Sequence, residues 1–337
     1  MNEYSFTKKV WIVGAIFSLV TIVLLLLKAT FSVLLLILAG VLIAVYFRGL
    51  SNLIHRKTKW KEGVCLVISI VASLLLLVLL IWLIGSKVQT QIQEMSDTIP
   101  KTIEKTKQQL NQSTLGQKIV EKLSSSGTKQ KAQSLMQTFF KSTFGILGDI
   151  YVVLFVGIFF TASPKVYKQG IISLIPPKSK TRADAVLNAI GNNLEKWLKG
   201  KLFAMLVVFV LTSVGLIIMG MPMWLTLALI AGILNFIPNF GPLIALIPAV
   251  LIAFLQGPST ALWVASLYIA VQVAESNFIT PMVQQRLVSI PPALIIIAQL
   301  LMAPLTGGWG LVLATPTMVI IMILVQKLYI EKQKTVK

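Results

Sequence analysis

The stretch ILNFIPNFGPLIALIP, residues 233–248, lies in the middle of an apolar run and decides how the chain folds. Its Pro and Gly residues interrupt helices, and its Asn residues bring polar groups into a segment that otherwise suits lipid. The whole run, residues 224–255, would be about 48 Å long as a single helix, well beyond the ~30 Å hydrocarbon core of a bilayer. Broken at IPNFGP, each half is about 18 Å long and too short to cross. We therefore predict a broken or re-entrant membrane segment here.

A second run, residues 291–326, repeats this scheme. PPALIIIAQLLMA is followed by the break PLTGGWG (304–310) and then by the apolar arm LVLATPTMVIIMILVQ. An unwound break survives in hydrocarbon only where protein or water satisfies its peptide groups. The free amides, carbonyls and helix-end dipoles can then bind a solute or an ion. The alternative is a pair of kinked spans whose Pro and Gly residues only ease helix packing.

The composition indicates an integral membrane protein. Hydrophobic residues make up 56% of the chain, charged residues only 12%, and the mean hydropathy is +0.86, whereas about 25% of the residues in soluble chains are charged. We predict an all-α integral membrane protein of about eight membrane segments, two of them broken or re-entrant, with amphipathic interfacial helices in addition. The apolar runs are residues 10–27, 30–47, 64–84, 144–162, 202–219, 224–255, 259–280 and 291–326.

The net charge of +19 is concentrated in short loops. Loops 48–62 and 163–201 are both basic, and basic short loops mark the cytoplasmic side of a membrane. Both chain termini are then cytoplasmic, and the basic groups face anionic lipid headgroups. No basic patch is interleaved with aromatic residues, so nucleic acid is not a predicted partner. With one Cys and one His in the chain, we predict no disulfide framework, metal site or cofactor.

Three blocks follow from this pattern. Residues 1–85 form an N-terminal block of three spans, residues 86–143 an external amphipathic helical insert, and residues 144–337 a C-terminal transport block. The transport block contains a cytoplasmic interfacial arm, 163–201, and the two broken segments. The insert has helical periodicity typical of helices lying on the outer membrane face. A ligand-binding cap is the alternative interpretation of the insert.

A single carboxylate lies between the two breaks. Glu275 is the only acidic residue between Glu195 and Glu331, and on a helix it shares a polar stripe with Gln272 and Ser276. A carboxylate at mid-bilayer costs about 2.5–3.5 kcal/mol, so it should face protein or water. Glu275 is therefore the candidate for coupling transport to a proton or to sodium. The alternative is a structural carboxylate near the helix end, which reaches water or pairs with Arg286.

The leading hypothesis is a secondary transporter that binds a small polar solute and a coupling ion where the two breaks meet. The chain has no nucleotide-binding GxxxxGK[ST] motif and no recognisable catalytic set, so we predict neither ATP hydrolysis nor another enzyme activity. A non-transporting scaffold or signalling protein acting through the insert remains the alternative. The predicted solute- or ion-binding residues are Asn235, Pro238, Asn239, Gly241, Pro242, Gln272, Glu275, Ser276, Gln299, Thr306, Gly307 and Gly308.

Three motifs resemble the signature regions of the autoinducer-2 exporter (AI-2E) family: LNFIPNFGPLIALIPAVLIA (234–253), ESNFITP (275–281) and GGWGLVLATP (307–316). They follow an MGMPMW turn in the same order. The resemblance implies eight membrane segments in a bacterial cell membrane, both termini cytoplasmic, a homo-oligomer that is pentameric in described members, and elevator-like movement. It implies either an exporter of a small solute or signal molecule or a sodium/proton antiporter.

The chain departs from the family pattern at two places. Gly200-Lys201 stands where many members have Gly-Gln, and Ile290-Pro291 stands where a His often precedes the proline. The substrate and the coupling ion of described members are therefore not transferred to this chain.

Overall fold

The computed structural model of the protein describes residues 6–82, 148–284, 290–331 and 333. Every regular element in these ranges is a helix. Five of them are long and apolar enough to cross a membrane, or six if a bent pair counts as one span, and four shorter apolar helices accompany them. The predicted all-α membrane fold is confirmed. The predicted insert 86–143 and Arg286 lie outside the described residues.

Eleven α-helices are described, and the ten longest are numbered here in chain order. They are α1 Phe6–Thr58, α2 Glu62–Trp82, α3 Gly148–Ala162, α4 Pro164–Ser173, α5 Lys180–Ile218, α6 Trp224–Leu234, α7 Phe240–Gln256, α8 Pro258–Ala274, α9 Pro292–Thr306 and α10 Gly308–Leu324. Wider π-helical turns extend α8 over Glu275–Ile279 and α10 over Val325–Ile330. A short helical segment, Thr280–Gln284, follows the first of these turns.

The first two apolar runs differ from their prediction as separate spans. Residues 10–47 lie within one continuous helix, α1, which has 53 residues. Between the two runs stand only Lys28 and Ala29. Neither is Gly or Pro, so nothing in the local sequence ends the helix. The part of α1 that is long and apolar enough to cross is Thr30–Thr58.

The predicted interfacial arm, residues 163–201, divides into two parts. Helix α4 turns by 89° from α3. Residues 180–201 instead continue without a break into the next apolar run and form α5, a helix of 39 residues. The apolar stripe of this stretch is buried against protein at Leu194, Trp197 and Leu198. In the fold, this apolar stripe therefore packs against neighbouring helices.

Two clusters of buried apolar side chains organise the helices. The first cluster joins α1, α3, the N-terminal half of α5, α9 and α10; the second joins the C-terminal half of α5 with α6, α7 and α8. Helix α5 belongs to both clusters and is the element that connects them. In the second cluster α7 contributes Ala245, Ala249 and Ala253, all fully buried. These small side chains at every fourth position allow close approach of neighbouring helices.

Polar contacts fix both ends of α3. At one end the Arg48 guanidinium of α1 donates two hydrogen bonds, of 3.0 and 2.9 Å, to the carbonyl oxygen of Thr161. This carbonyl lies in the last turn of α3, where no further helical N–H is available to it. At the other end Trp309 of α10 donates a 2.7 Å hydrogen bond to the Asp149 carboxylate. Helix α3 is thereby held against both α1 and the second break.

Candidate functional site

The first break is a loop of five residues between α6, which ends at Leu234, and α7, which begins at Phe240. Asn239 in this loop has φ of 64° and ψ of −51°. Positive φ is uncommon outside glycine, and asparagine tolerates it better than most residues. Pro242 lies in the first turn of α7, where its missing N–H removes no helical hydrogen bond. The residues that looked out of place in an apolar run therefore match the backbone of a break between two helices.

Gly241 permits the two arms of this segment to touch. A Cβ atom at this position would lie 2.6 Å from the carbonyl carbon of Leu234 and would collide with its oxygen. The contact is with backbone, which does not move aside as a flexible side chain does. Glycine is thus required here because the end of α6 and the start of α7 lie too close together to leave room for a Cβ atom.

Gln299 of α9 ties the first break to the second broken segment. Its side chain is fully buried, and its Nε2 donates a 2.8 Å hydrogen bond to the Pro238 carbonyl oxygen. Its Oε1 accepts a 3.2 Å hydrogen bond from Asn239 Nδ2. One amide thereby satisfies a free carbonyl and a side-chain donor of the unwound loop. The structure gives Gln299 a role in positioning the loop.

We expect Gln299→Leu to destabilise the protein by about 1–3 kcal/mol, because leucine fills a similar volume but leaves the Pro238 carbonyl unpaired. The measurement is the midpoint of thermal unfolding of the purified protein in detergent. Gln326→Leu is the matched control, since Gln326 is exposed and should unfold like the wild type. Equal midpoints for the two variants would show that the Gln299 contacts do not hold the loop.

The second break is tighter than the first. Only Gly307 separates α9 from α10, with φ of 63° and ψ of −137°, a conformation open to glycine but strained for other residues. The Thr306 hydroxyl donates a 3.1 Å hydrogen bond to the Met302 carbonyl of its own helix. Thr306, Gly307 and Gly308 do not line the cavity described next.

A cavity of about 330 Å³ lies where the two clusters meet. Its volume lies near the lower end of the range for small-molecule sites. Helix α5, the first break, the end of α8, the start of α9 and the middle of α10 all contribute to its walls. The lining residues are Trp197, Gly200, Lys201, Ala204, Asn235, Pro238, Asn239, Gln272, Glu275, Ser276, Thr280, Pro281, Pro292, Ile295 and Thr315.

Glu275 occupies the α8 wall of this cavity and is 6% exposed. The Thr280 hydroxyl donates a 2.9 Å hydrogen bond to its Oε1. Gln272 Nε2 and the Ser276 hydroxyl lie 3.4 and 3.5 Å from its Oε2. The π-helical turn Glu275–Ile279 widens the helix here, so that the N–H of Thr280 bonds to the Glu275 carbonyl oxygen five residues earlier. Such turns occur frequently at functional sites.

Lys201 is the second charged residue in the cavity wall. It lies on the face of α5 that also carries Trp197, Gly200 and Ala204, a spacing of three, four and seven residues. Its side chain is partly buried and lines the same cavity as the Glu275 carboxylate. Among the described residues Lys201 has neither a hydrogen bond nor an ion pair within 4.0 Å. A cation and an anion therefore face one cavity without direct contact.

Two buried polar atoms in the cavity wall have no hydrogen-bond partner among the described residues. They are Nδ2 of Asn235, whose side chain is 1% exposed, and the hydroxyl of Thr315, whose side chain is 5% exposed. A buried polar group without a partner costs about 1–3 kcal/mol. Native proteins keep few such groups, and each calls for an explanation such as a ligand or water. Their position in this cavity indicates a binding site for polar molecules.

The comparison with known families agrees with these features. The family profile described as AI-2E family transporter matches residues 15–330. The chain belongs to the AI-2E family of transporters.

Curated relatives of this AI-2E protein carry transport names. "Putative transport protein YrrI" of Bacillus subtilis is 30% identical over 47% of this chain and 44% of its own length. "Putative transport protein YueF" of the same organism is 23% identical over 63% of this chain and 58% of its own length. "Putative permease PerM" of Escherichia coli is 24% identical over 50% of this chain and 48% of its own length. The matched part spans about half the length of these relatives.

The structure brings half of the predicted site residues of this AI-2E protein into one cavity: Asn235, Pro238, Asn239, Gln272, Glu275 and Ser276. The other half lie outside its wall, namely Gly241, Pro242, Gln299, Thr306, Gly307 and Gly308. Gly241 and Gln299 shape or hold the first break, as shown above. Helix α9 contacts the first break through Gln299, which lies in the middle of the helix.

Sequence reasoning assigned no binding role to Lys201, Thr280 or Thr315. Lys201 ends the basic stretch KGK, and a lysine at the edge of an apolar run is typical of a headgroup contact. Thr280 reaches Glu275 only because the helix widens between them. Thr315 sits in an apolar arm, where hydroxyls often bond to their own helix. For metals, no group of three or more His, Cys, Asp or Glu side chains is suitably placed within the described ranges.

Proposed function

We propose that the protein is a secondary transporter that exports a small polar solute across a bacterial cell membrane by alternating access. The observation that carries the proposal is the cavity between the two clusters, with a buried carboxylate and two unpartnered buried polar atoms in its wall. A cavity in this position opens to one side or the other when the clusters tilt or slide relative to each other. Its small volume suits a small solute.

An ion gradient is the proposed driving force, and Glu275 is the proposed coupling residue. The carboxylate is the one acidic group that the described part of the chain contributes to the cavity wall, and it can bind a proton directly. Its neighbours also offer hydroxyl and amide oxygens, the kind of ligand that hard cations such as sodium prefer. Either ion would reach Glu275 through the same cavity as the solute. Binding of the ion would neutralise the Glu275 carboxylate before the two clusters rearrange.

Family membership supports the wider arrangement in this proposal. The two broken segments, α6–α7 and α9–α10, act as re-entrant hairpins, and the transport block moves in an elevator-like manner. Both termini are cytoplasmic, and the working unit is a homo-oligomer. The short arms support the hairpins: α6 has 11 residues and α9 has 15, fewer than the ~20 that cross a bilayer.

The proposal is tested by comparing small metabolites inside and outside cells that express the protein with those of cells carrying an empty vector. We expect at least one small polar compound to be depleted inside and enriched outside. That compound is then loaded into proteoliposomes, and its efflux is followed under an imposed pH or sodium gradient. Identical metabolite profiles with and without the protein would contradict export.

A sodium/proton antiporter is the second candidate, and the surroundings of Glu275 favour it specifically. Thr280 and Ser276 place hydroxyl oxygens beside the carboxylate, so sodium and a proton can compete for one site. The test uses a pH-sensitive dye inside proteoliposomes that receive a sodium gradient and no organic solute. Alkalinisation or acidification that depends on the protein would favour the antiporter over the solute exporter.

A further inference from the structure

The two charged residues of the cavity, Glu275 and Lys201, differ in the hydrogen bonds that they make within the protein. The Glu275 carboxylate has neutral donors around it: Thr280 at 2.9 Å, Gln272 at 3.4 Å and Ser276 at 3.5 Å. The Lys201 ammonium has three N–H donors and uses none of them on the described residues. An unpaired ammonium in a partly buried position is costly. The cavity therefore has a positive group in need of a partner and a negative group already hydrogen-bonded.

The unpartnered neutral group of the first break is also a donor. The Nδ2 of Asn235 carries two N–H groups, accepts nothing, and lacks a partner among the described residues. The Thr315 hydroxyl, from the opposite broken segment, donates one hydrogen bond and accepts others. Together with Lys201, these groups form a set in which free donors outnumber free acceptors. Such a set is complementary to oxygen atoms that carry negative charge.

We propose that the solute carried in this cavity is a small anion, with its negatively charged oxygens bound by Lys201 and hydrogen-bonded by Asn235 and Thr315. This inference rests on the proposed transport function and names the chemical class of the solute. A carboxylate or a phosphate group has the required oxygens, and the volume of about 330 Å³ suits a small organic anion or phosphate. The anion neutralises Lys201 while Glu275 stays available for the coupling ion. Export of an anion also agrees with the membrane potential, which is negative inside and drives anions outward.

The test measures binding directly and does not depend on transport. Thermal unfolding of the purified protein is followed with acetate, lactate, succinate or inorganic phosphate, at constant ionic strength in a background of a bulky sulfonate salt. Acetamide, lactamide and succinamide are the neutral comparators, because each matches an acid in shape and lacks its charge. We expect at least one anion to raise the unfolding temperature in a saturable manner, and its amide to have no effect.

Lys201→Gln should abolish this preference and weaken the apparent affinity for the anion at least tenfold, because a charge-assisted hydrogen bond is replaced by a neutral one. Lys201→Arg retains the charge and should retain the preference, which separates loss of binding from loss of folding. The matched control is Lys199→Gln, which removes the same charge two residues earlier, where Lys199 pairs with Glu195 on the exposed face of α5. This control should bind like the wild type.

Three results would overturn the inference: stabilisation by the amides as strong as by the acids, undiminished anion binding in Lys201→Gln, or no stabilisation by any anion of the panel. Each leaves the transport proposal standing if a neutral solute is exported in the cellular test. Conversely, anion binding that depends on Lys201 in a protein that moves no solute would remove the transport proposal and keep the anion site. The two proposals thus fail by different observations.

Discussion

Glu275→Gln is expected to reduce gradient-driven solute efflux from proteoliposomes to the level of protein-free liposomes. Glutamine keeps the size of the side chain and can still accept the hydrogen bond from Thr280, which is 2.9 Å in the wild type. It cannot be protonated near neutral pH and has no charge with which to attract sodium. Glu275 is the one carboxylate among the described residues of the cavity wall, so none of the others can replace it in coupling.

The same substitution separates coupling from binding. Anion-dependent stabilisation should persist in Glu275→Gln, since Lys201, Asn235 and Thr315 are unchanged. Glu195→Gln is the matched control, because Glu195 pairs with Lys199 outside the cavity and its loss should leave efflux at the wild-type rate. Efflux in Glu275→Gln that still follows the imposed pH or sodium gradient would remove Glu275 from the mechanism.

Gly241→Ala, at the start of α7, should strongly destabilise the protein. The added methyl group collides with the Leu234 carbonyl, a backbone group at the end of α6, so α6 and α7 must separate. Overpacking costs typically 1–3 kcal/mol and occasionally more, and a backbone collision belongs at the upper end. We expect a loss of about 3 kcal/mol, seen as a fall of roughly 5–10 °C in the thermal unfolding midpoint.

Gly191→Ala provides the control for this measurement. Gly191 lies inside α5, and a Cβ there would meet no atom within 4 Å. Alanine is about 1 kcal/mol more favourable than glycine in a helix interior, so this variant should unfold at or slightly above the wild-type temperature. A Gly241→Ala protein that unfolds with the Gly191→Ala protein would show that the two arms are not in close contact.

Several elements were predictable because local chemistry alone decides them. The breaks at residues 235–239 and at Gly307 follow from Pro, Gly and Asn, whose backbone preferences act within a few residues. The buried carboxylate was identifiable because an isolated acid in an apolar helix has to face protein or water. The predicted pair of spans in residues 10–47 was not matched, because a lysine alone does not end a helix.

The partners of each site residue were not predictable in the same way. Helical periodicity correctly placed Gln272 and Ser276 beside Glu275, but it gave no information about Thr280, which reaches the carboxylate through a π-helical turn. Periodicity also assigned Lys201 to the flank of an interfacial helix. In the structure α5 continues from residue 201 into the apolar run 202–219, and Lys201 lies in the cavity wall.

The sequence by itself determined that this is a helical membrane protein, where its helices break, and which acid is buried, because each of these depends on hydrophobicity and backbone conformation over short distances. Only the tertiary structure decided which residues contact the breaks. Helix packing brings together residues that are far apart in the chain: Asn239 hydrogen-bonds to Gln299, and Lys201 lines the same cavity as Glu275. Many side-chain contacts together determine which face of a helix packs against which neighbour. A short sequence motif therefore does not predict this packing.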